Sequence, residues 1–413
     1  MSADPRQLAF DVLRAVRQDD AYVNLLLPAL LEDRKITGRD AAFATELTNG
    51  TIRMEMSYDA IIDSLTKAID DDVRDVLRIG AHQLLSMRVP DHAAVATTVD
   101  LTKKVIGHKP AGLVNAVMRK IAQRDFDQWM DKLNANLSVR YSHPQWIIDA
   151  YLAVLPEPEI VSLLESNNKA PAVTLVARSI KPESLPGKPG KLSKYARIIE
   201  SGNPADIPAV REGKAGVQDE GSQWVVTTLV DVPIVGNDTT WLDMCAGPGG
   251  KAALLAAIGG TRGARVVANE VQPHRAELVR KSTATAKNVT VSEHDAREKH
   301  WPKESFDRIL IDAPCTGLGA LRRRPESRWR KQLADVEQLA EIQTALLANA
   351  AQLIRPGGVI GYATCSPHIQ ETSAIVDEFL KDHPNFVRVV PDQQLWPHRD
   401  GTDAMFLALL SRR

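Results

Sequence analysis

The feature that most restricts the possible folds is an alternation of short β-rich runs with longer helical stretches after Gly216. The β-rich runs cover residues 239–244, 264–270, 288–295, 307–314 and 358–366. Residues 337–354, between the last two runs, have the spacing of a helix. This alternation predicts a parallel sheet with helices on both faces. Because ligands bind at the carboxyl ends of the strands in such a sheet, we expect the functional residues there.

The first 135 residues show helical periodicity instead. One apolar stripe at i, i+3 and i+4 spacing consists of Val73, Val76, Leu77, Gly80, Ala81 and Leu84. A second stripe consists of Leu113, Val117 and Ile121. Separately, Asp91 is placed to cap a helix that begins directly after Asp91. The pattern predicts an all-α bundle.

We predict three domains. The helical bundle covers residues 1–135, and an α/β domain with a Rossmann-like sheet covers residues 217–413. Between them, prolines and glycines separate short strands such as residues 172–178, which predicts a small α+β connecting subdomain over 136–216.

Composition excludes several classes of protein. The 413 residues, 44% hydrophobic and 25% charged, are typical of a soluble globular chain. No apolar run approaches the roughly 20 residues that a membrane-spanning helix needs, so we expect a cytoplasmic protein with no membrane contact. The cysteines, Cys245, Cys315 and Cys365, form no CxxC pair, which argues against a disulfide framework or a zinc site. We expect reduced thiols and no bound metal.

Basic residues cluster locally, although the formal net charge is only −1. Residues 103–124 contain six Lys or Arg and no acid, and residues 321–331 contain six Lys or Arg against the single acid Glu326. Most charge runs are merely solvated surfaces. Two acid-poor clusters on a nearly neutral chain nonetheless favour localised phosphate contacts.

The predicted strand ends carry the residues of a cofactor pocket. Asp243 is followed by a glycine-rich turn, residues 245–251, whose backbone can approach a ligand closely. Glu270, at the next strand end, can accept hydrogen bonds from a ribose diol, and Asp295, at the third, from an adenine amino group. Together they describe a pocket for an adenosine-containing cofactor. The turn also meets a loose dinucleotide fingerprint, which leaves a nicotinamide enzyme open.

Two cysteines follow neighbouring strand ends. Ser366 and Pro367 favour a helix that begins directly beside Cys365, and its dipole would favour the thiolate. A single cysteine at a strand end is more often a buried small residue. Cys315, preceded by Asp312 at the adjacent strand end, favours a nucleophile instead.

Several stretches carry a family resemblance. In the second half they are LDMCAGPGGK, DAPCTGLGALRRRPESRW, GYATCSPHIQET and PHRDGTDAMFLALLSR. These closely resemble the S-adenosylmethionine-dependent RNA 5-methylcytosine methyltransferases, and among them the bacterial 16S ribosomal RNA enzymes of the RsmB (Sun/Fmu) type. In the first half, ELTNGTIR, LRIGAHQLLSM, VPDHAAVATTVDLTKK and GLVNAVMRKI resemble the NusB-like helical RNA-binding domain of those enzymes.

The resemblance implies a role for each matching residue. S-adenosylmethionine would be held by Cys245, Ala246, Gly247, Pro248, Gly249, Gly250, Lys251, Glu270, Asp295 and Asp312. Cys365 would add to cytosine C6 as the nucleophile, Asp312 would stabilise the adduct at N3 and N4, and Cys315 would assist product release. The partner would be small-subunit ribosomal RNA, bound by a monomer of this chain. Phosphate contacts would come from Arg322, Arg323, Arg324 and Arg328 and, in the helical domain, from Lys103, Lys104 and Arg119.

The chain departs from the family pattern at two places. Gly247 stands where relatives usually have Ala, a change that we expect the turn to tolerate. Arg178 ends Leu175-Val176-Ala177-Arg178 where many relatives have Leu-Arg-Val-Asn, which leaves its role open. Residues 217–223 match the family and are expected beside the cofactor site, with Asp219 as a weaker candidate.

Two further functions remain open from the residues. A DNA cytosine-5 methyltransferase would use Cys315 as its nucleophile. A non-catalytic RNA-binding assembly factor would keep the helical domain and an inactive methyltransferase domain.

Overall fold

The computed structural model describes residues 4–200 and 202–413. Within these residues, no helix is long and apolar enough to cross a membrane. The same part of the chain contains no group of three or more His, Cys, Asp and Glu side chains that could hold a metal ion.

The described chain forms two compact units. The first contains the residues up to Ala170 together with Leu321–Arg330, and the second contains Pro171–Ala320 and Lys331–Arg413. The helical unit therefore extends beyond the predicted end at residue 135, and the predicted segment 136–216 is divided between the units. Hydrogen bonds explain the extension, since Ser57 Oγ donates to Val139 O over 2.5 Å and Met56 N–H donates to Ser142 Oγ over 3.0 Å.

The first unit is helical, as predicted. Its helices before residue 170 are α1 (Pro5–Gln18), α2 (Val23–Asp33), α3 (Gly38–Arg53), α4 (Glu55–Leu65), α5 (Asp71–Leu85), α6 (Asp91–Val105), α7 (Ala111–Ile121), α8 (Phe126–Lys132), α9 (Leu137–Tyr141), α10 (Gln145–Leu152) and α11 (Glu157–Asn167). The predicted stripe on α5 is buried, with only Leu84 partly exposed. Gly80 lets α7 approach closely, because a Cβ there would lie 2.5 Å from Met118 Sδ.

Two details of the helical prediction are wrong. Leu113 is 41% exposed, because the buried face of α7 runs through Val114, Val117 and Met118 instead. Asp91 does not cap α6 but is its first residue, and Pro90 occupies the N-cap position. Asp91 still lies where the helix dipole favours a negative charge.

The second unit begins with a small antiparallel sheet of strand order β2-β3-β1-β4. Its strands are β1 (Val173–Ala177), β2 (Lys188–Pro189), β3 (Ala196–Ile199) and β4 (Ala215–Val217). The predicted strand at 172–178 is thus confirmed as β1. Leu175, Ala177 and Ile199 belong to a small apolar core of this sheet.

The larger sheet has the strand order β10-β12-β9-β8-β5-β6-β7, with β11 paired to β12. Its strands are β5 (Thr240–Asp243), β6 (Arg265–Asn269), β7 (Val289–Ser292), β8 (Phe306–Asp312), β9 (Ile354–Thr364), β10 (Phe386–Arg388), β11 (Gln393–Gln394) and β12 (Phe406–Arg412). Strands β5 to β9 are parallel, as predicted, whereas β12 runs antiparallel to β9 and β10 antiparallel to β12. The α/β prediction is confirmed, and the antiparallel edge was not foreseen.

Helices cover both faces of this sheet. The remaining helices are α12 (Pro208–Arg211), α13 (Glu220–Asp231), α14 (Gly250–Thr261), α15 (Pro273–Thr283), α16 (Ser327–Arg330), α17 (Leu333–Leu353), α18 (Ser373–Asp382) and α19 (Pro397–Asp400), of which α16 belongs to the first unit. Successive strand residues point to opposite faces. Leu242 accordingly joins the apolar core beneath α17 and α18, while Trp241 joins the core beneath α13 and α14.

Candidate active site

The candidate site lies at the carboxyl ends of β5, β8 and β9. Asp243 ends β5, Asp312 ends β8, and Cys365 directly follows β9. The three strands are adjacent and parallel, so their carboxyl ends meet at one edge of the sheet. Strand order reverses at β5, since β6 and β7 extend to one side of it and β8 and β9 to the other. Open α/β sheets bind their ligands at such a switch point.

The turn between β5 and α14 is held tightly by its own backbone. Ala246 N–H donates to Asn269 O over 2.8 Å, and Gly249 N–H donates to Ala246 O over 2.7 Å. Gly249 has φ +110°, a left-handed conformation that favours glycine. A Cβ on Gly247 would lie 2.1 Å from Glu270 Oε2, so alanine is tolerated there only if that carboxylate moves.

Glu270 fastens this turn to the end of β6. Its Oε2 accepts from Gly247 N–H over 3.1 Å, and its Oε1 accepts from Gln272 N–H over 3.0 Å. The side chain is 4% exposed. Beside it, Asn269 Nδ2 donates to Met244 O and His294 O, which joins the ends of three strands. Sequence reasoning missed Asn269, whose only signal was an amide just before the strand-end acid.

Asp295 lies after β7, at the same edge of the sheet, but it is paired locally. Arg297 donates to Asp295 Oδ1 from its backbone N–H over 3.0 Å and from Nε over 2.9 Å. The hydrogen bond from this guanidinium lowers the pKa of the Asp295 carboxyl. An amino group that binds Asp295 must therefore share the carboxylate with Arg297.

Asp243 is the most unusual carboxyl of the site. It is fully buried, and neither carboxylate oxygen makes a hydrogen bond of ordinary geometry among the described residues, although the backbone N–H of Cys245 and the charge of Lys251 act to lower its pKa. Burial, followed by the nearby charge of Asp312, raises the pKa of Asp243 to about 8. A buried carboxylate without a partner is costly and favours a bound cation. The sequence placed Asp243 at a strand end but did not select it as a site residue.

Lys251 links the turn to Asp312. Its Nζ donates to Asp312 Oδ2 over 2.8 Å and to Ser222 Oγ over 3.4 Å. Burial acts to lower the pKa of this ammonium, but the charge and hydrogen bond of Asp312 and the charge of Cys365 raise it overall. The side chain therefore carries its positive charge beside both the carboxylate and the candidate nucleophile.

Cys315 and Cys365 are neighbours in space, as predicted from their strand ends. Their Sγ atoms lie 3.4 Å apart, and both side chains are partly exposed. The hydrogen bond to Cys365, together with burial, raises the pKa of the Cys315 thiol well above its ordinary value. Cys315 is therefore held as a neutral thiol against the sulfur of Cys365. Burial likewise raises the pKa of Cys245, the remaining cysteine.

The helix predicted directly beside Cys365 begins later. After Pro367 the chain forms a 3-10 turn at Ile369–Glu371, and α18 starts only at Ser373. Ser366 Oγ accepts from His368 N–H over 3.2 Å and contacts Thr316 Oγ1 at 3.1 Å, so it is not a helix cap. The expected stabilisation of the thiolate by the helix dipole is therefore wrong.

A buried carboxylate missed by sequence reasoning positions both cysteine loops. Glu371 is 0% exposed, and its oxygens accept from Thr316 N–H over 2.7 Å and from Thr316 Oγ1 over 2.5 Å. Gln343 Nε2 donates to Pro314 O over 2.8 Å, and Tyr362 Oη donates to Glu371 O over 2.9 Å. The network joins the loop after β8 to the loop after β9. Its only sequence signal was the glutamate of the GYATCSPHIQET stretch.

The segment 217–223 does reach the cofactor turn, but through a different residue. Gln218 is buried, its side chain lies 3.6 Å from the Cβ position of Gly250, and its amide atoms have no partner among the described residues. Asp219 instead accepts from Gly221 N–H at the start of α13 and from Asp403 N–H, each over 3.0 Å. Asp219 is thus a structural cap, and Gln218 is the better candidate.

Comparison with known proteins gives the family. Residues 233–411 match the family described as 16S rRNA methyltransferase RsmB/F, and residues 3–123 match the NusB family. Ribosomal RNA small subunit methyltransferase B of Vibrio cholerae serotype O1 is 32% identical over 414 residues, which cover 94% of this chain and 92% of that protein. The chain belongs to the 16S rRNA methyltransferase RsmB/F family.

Further similarities agree with RsmB/F membership. A Mycobacterium tuberculosis (strain H37Rv) protein, named as a methyltransferase without a stated substrate, is 46% identical over 444 residues, or 99% of this chain and 97% of that protein. The crystal structure of PH0851 has a TM-score of 0.80 and 21% identity and covers 100% of both chains, which shows a shared fold. The family resemblance and the cofactor, S-adenosylmethionine, are thus confirmed, and the nicotinamide alternative is wrong.

The arginine segment expected to grip RNA packs largely into the first unit of this RsmB/F chain. Arg328 is fully buried and donates to Ser142 O over 2.9 Å, to Arg53 O over 3.0 Å and to Asn168 Oδ1 over 2.8 Å. Burial lowers the pKa of Arg328 to about 9. The prediction that Arg328 contacts phosphate is therefore wrong, because its donors serve the protein interior.

The neighbouring arginines differ in exposure. Arg322 is only 6% exposed, Arg323 is partly exposed and Arg324 is exposed. Arg322 therefore offers little surface to an RNA backbone. Arg323 and Arg324 are the members of the segment that a phosphate can reach.

Two lysines of the basic cluster at residues 103–124 form ion pairs with acidic residues outside the cluster. Lys103 pairs with Asp100 at 3.0 Å, and Lys104 pairs with Asp4 at 3.2 Å. Both lysines remain exposed, as does Arg119 near the end of α7. Exposed pairs of this kind are weak, so the lysines can exchange an acid for a phosphate.

Proposed function

We propose that this protein methylates C5 of a cytosine in small-subunit ribosomal RNA through a covalent bond between Cys365 Sγ and C6 of the base. The observation that carries the proposal is the contact between a neutral Cys315 thiol and the sulfur of Cys365 at 3.4 Å, beside Lys251 and Asp312. The choice of RNA follows the curated relatives that are named ribosomal RNA small subunit methyltransferase B.

The residues around the turn fit the cofactor of the family. When bound, S-adenosylmethionine supplies a methyl group on a sulfonium. The unpartnered carboxylate of Asp243 would hold the cationic ammonium of its amino acid portion, and the unpartnered amide of Gln218 would bind a polar group nearby. Glu270 would accept from the ribose and Asp295 from the adenine amino group, while residues 245–251 supply backbone donors.

Cysteine chemistry is needed because C5 of cytosine is a weak nucleophile. The Cys365 thiolate donates an electron pair to C6, the C5–C6 π bond breaks, and electron density moves towards C5 and N3. Lys251 holds Asp312 in place, and Asp312 stabilises the adduct by hydrogen bonding at N4 or N3. After methylation, a base that Cys315 helps to position takes the C5 proton, the double bond re-forms and Cys365 leaves as a thiolate.

The RNA must present an unstacked base, which costs a few kcal/mol and less in a loop. Among the predicted phosphate contacts, Arg323, Arg324, Lys103, Lys104 and Arg119 remain in this proposal as exposed or partly exposed cations. The NusB match over residues 3–123 supports an RNA-binding role for the helical unit.

Trapping with RNA that contains 5-fluorocytosine tests the proposal, because fluorine at C5 cannot leave as a proton. We expect a covalent protein–RNA complex that forms with S-adenosylmethionine, persists in Cys315→Ala and disappears in Cys365→Ala. A complex lost in Cys315→Ala but kept in Cys365→Ala would instead support the chemistry of a DNA cytosine-5 methyltransferase. No complex and no transfer of labelled methyl to small-subunit RNA would support a non-catalytic assembly factor.

A further inference from the structure

A cavity lies in the methyltransferase unit, away from the cysteines. It measures about 470 Å³ and is lined by the second half of α14, the end of α15 with the loop that follows it, and the two residues after β1. None of the candidate catalytic or cofactor residues lines it. Its volume falls within the range of small-molecule sites.

Arg178, the residue left without a role by the family pattern, forms one wall of this cavity. Its Nη1 donates to Ser282 O over 3.2 Å, and its guanidinium rests on Gly216, whose Cβ position is only 2.5 Å from Nη2. Its Nε is buried and has no hydrogen-bond partner among the described residues. The guanidinium is therefore incompletely hydrogen-bonded, although a ligand in the cavity cannot reach the buried Nε itself.

The charge around Arg178 is uncompensated. Burial lowers the pKa of Arg178, with no carboxylate acting in the opposite direction. The cavity lining contains Arg178 and Lys287 as basic residues and no Asp or Glu. A buried cation without a counter-charge favours an anionic ligand.

The rest of the lining indicates the kind of anion. Ser179 contributes an exposed hydroxyl, whereas the hydroxyls of Thr261, Ser282 and Thr285 donate to backbone carbonyls. Alanines of α14 form an apolar wall. An arginine fork together with a separate lysine can bind several oxygens of a tetrahedral phosphate, whereas one fork alone would satisfy a planar carboxylate. The apolar wall and the volume leave room for an organic group attached to it.

We propose that the cavity beside Arg178 is a binding site for a small phosphate ester, separate from the methyl-transfer site. Arg178 and Lys287 bind the phosphate oxygens, the Ser179 hydroxyl adds a hydrogen bond, and the alanine wall contacts the organic part. The site does not depend on which cysteine is the nucleophile.

Calorimetric titration of the full chain with ribose 5-phosphate tests this proposal. Saturating S-adenosylhomocysteine closes the cofactor site, and the sugar phosphate has no base that could mimic the target cytosine. We expect binding of ribose 5-phosphate and of inorganic phosphate but not of ribose. Arg178→Gln should weaken the binding of ribose 5-phosphate by about tenfold or more, since it removes charge-assisted hydrogen bonds.

Two variants at exposed lysines test the site without changing a buried residue, so a loss of binding cannot be attributed to misfolding. Lys287 is exposed at the cavity rim, so Lys287→Ala should fold and should weaken binding about threefold to tenfold. Lys281→Ala, which changes an exposed lysine on α15 outside the lining, should bind as the parent does. The proposal is overturned if neither phosphate compound binds at millimolar concentration, or if Lys287→Ala and Lys281→Ala bind equally. It is also overturned if Arg178→Gln weakens only the binding of an RNA oligonucleotide.

Discussion

Cys315 Sγ lies 3.4 Å from Cys365 Sγ, although the two residues are 50 positions apart in the chain. The parallel pairing of β8 with β9 brings their loops together, and Gly319 N–H fastens the first loop by donating to Cys365 O over 2.8 Å. A Cβ on Gly319 would lie 2.3 Å from Ala404 O, so only glycine allows this approach. The fold thus builds the thiol pair before any substrate binds.

The closeness of the two sulfur atoms predicts a reversible oxidation. Hydrogen peroxide should take one hydrogen from each thiol and leave a Cys315–Cys365 disulfide and two waters, because the sulfurs need to approach only to about 2.05 Å. We expect methyl transfer to fall below a tenth of its starting rate and to recover with dithiothreitol. Thiol counting and peptide mass mapping check the bond.

Two variants serve as controls for this oxidation. Cys245→Ser should form the same disulfide, because Cys245 lies outside the Cys315–Cys365 pair. Cys315→Ala should form no internal bond. Recovery of a disulfide that links Cys245 to either of the other cysteines would contradict the arrangement.

Asp243 predicts an unusual dependence of stability on pH. Its pKa in the folded protein, about 8, lies above the ordinary Asp value of about 4. A group with a raised folded-state pKa contributes stability at low pH that is lost as the pH rises towards the folded pKa. Without cofactor, Asp243→Asn should therefore unfold at a higher temperature than the parent chain at pH 8, with a smaller difference at pH 5.

The same substitution should weaken the binding of S-adenosylmethionine at least about tenfold, because the amide no longer offers a negative charge to the ammonium. Calorimetry and thermal unfolding on one preparation check both effects. A variant that binds the cofactor normally, or that loses stability more steeply with pH than the parent, would contradict the assignment.

Glu371 acts as a positioning residue rather than a reacting one. The side chain of Glu371→Gln keeps one acceptor oxygen, so the N–H and the hydroxyl of Thr316 can no longer both donate to residue 371, and the two cysteine loops are held less firmly. We expect kcat to fall about tenfold while the KM for S-adenosylmethionine stays within twofold. Thr316→Ser, which keeps the hydroxyl, should retain most activity, whereas Thr316→Val should behave like Glu371→Gln. Equal losses in the serine and valine variants would argue against the network.

Substitutions of Arg328 and Arg324 should have different effects, the first on protein stability and the second on RNA binding. Arg328→Met removes donors from three buried oxygens and should lower the free energy of unfolding by about 2–4 kcal/mol. Arg324→Ala, at an exposed position, should leave the unfolding temperature unchanged and weaken RNA binding with a shallower salt dependence. Thermal unfolding and RNA binding at several salt concentrations distinguish them. If Arg324→Ala destabilises the protein as much as Arg328→Met, Arg324 is a structural residue, which contradicts the proposed role of Arg324 in RNA binding.

Sequence patterns predicted those parts of the fold that depend on local signals. The parallel strands β5 to β9 were readable because each is a short apolar run that ends at a chemically distinctive residue such as Asp243 or Asp312. The antiparallel partner β12 was not, because its direction is set by pairing with β9. The same limit applies to Arg328, whose charge indicates a surface while its acceptors come from α3, α9 and α11 and the segments beside them.

The sequence motifs indicated which strand ends meet at the candidate site, but they did not predict the electrostatics of the site. The motifs placed Cys315, Cys365 and Asp312 together, since consecutive strand ends of a parallel sheet share an edge. They did not show that the Ser366 hydroxyl contacts the Thr316 hydroxyl instead of capping a helix, because the partner of a hydroxyl depends on the tertiary structure. For the same reason, the unpartnered carboxylate of Asp243 and the buried Glu371 became visible only in the structure.

The most direct measurement follows the covalent intermediate on ordinary RNA. In Cys315→Ala, Cys365 should still bond to the cytosine and the cytosine should still be methylated, but the methylated RNA should be released slowly. A covalent protein–RNA complex should therefore accumulate and survive denaturing electrophoresis. Mass mapping should place the bond on Cys365, and the double variant Cys315→Ala/Cys365→Ala should form no complex. Full-speed methyl transfer by Cys365→Ala, or a bond mapped to any other residue, would contradict the account.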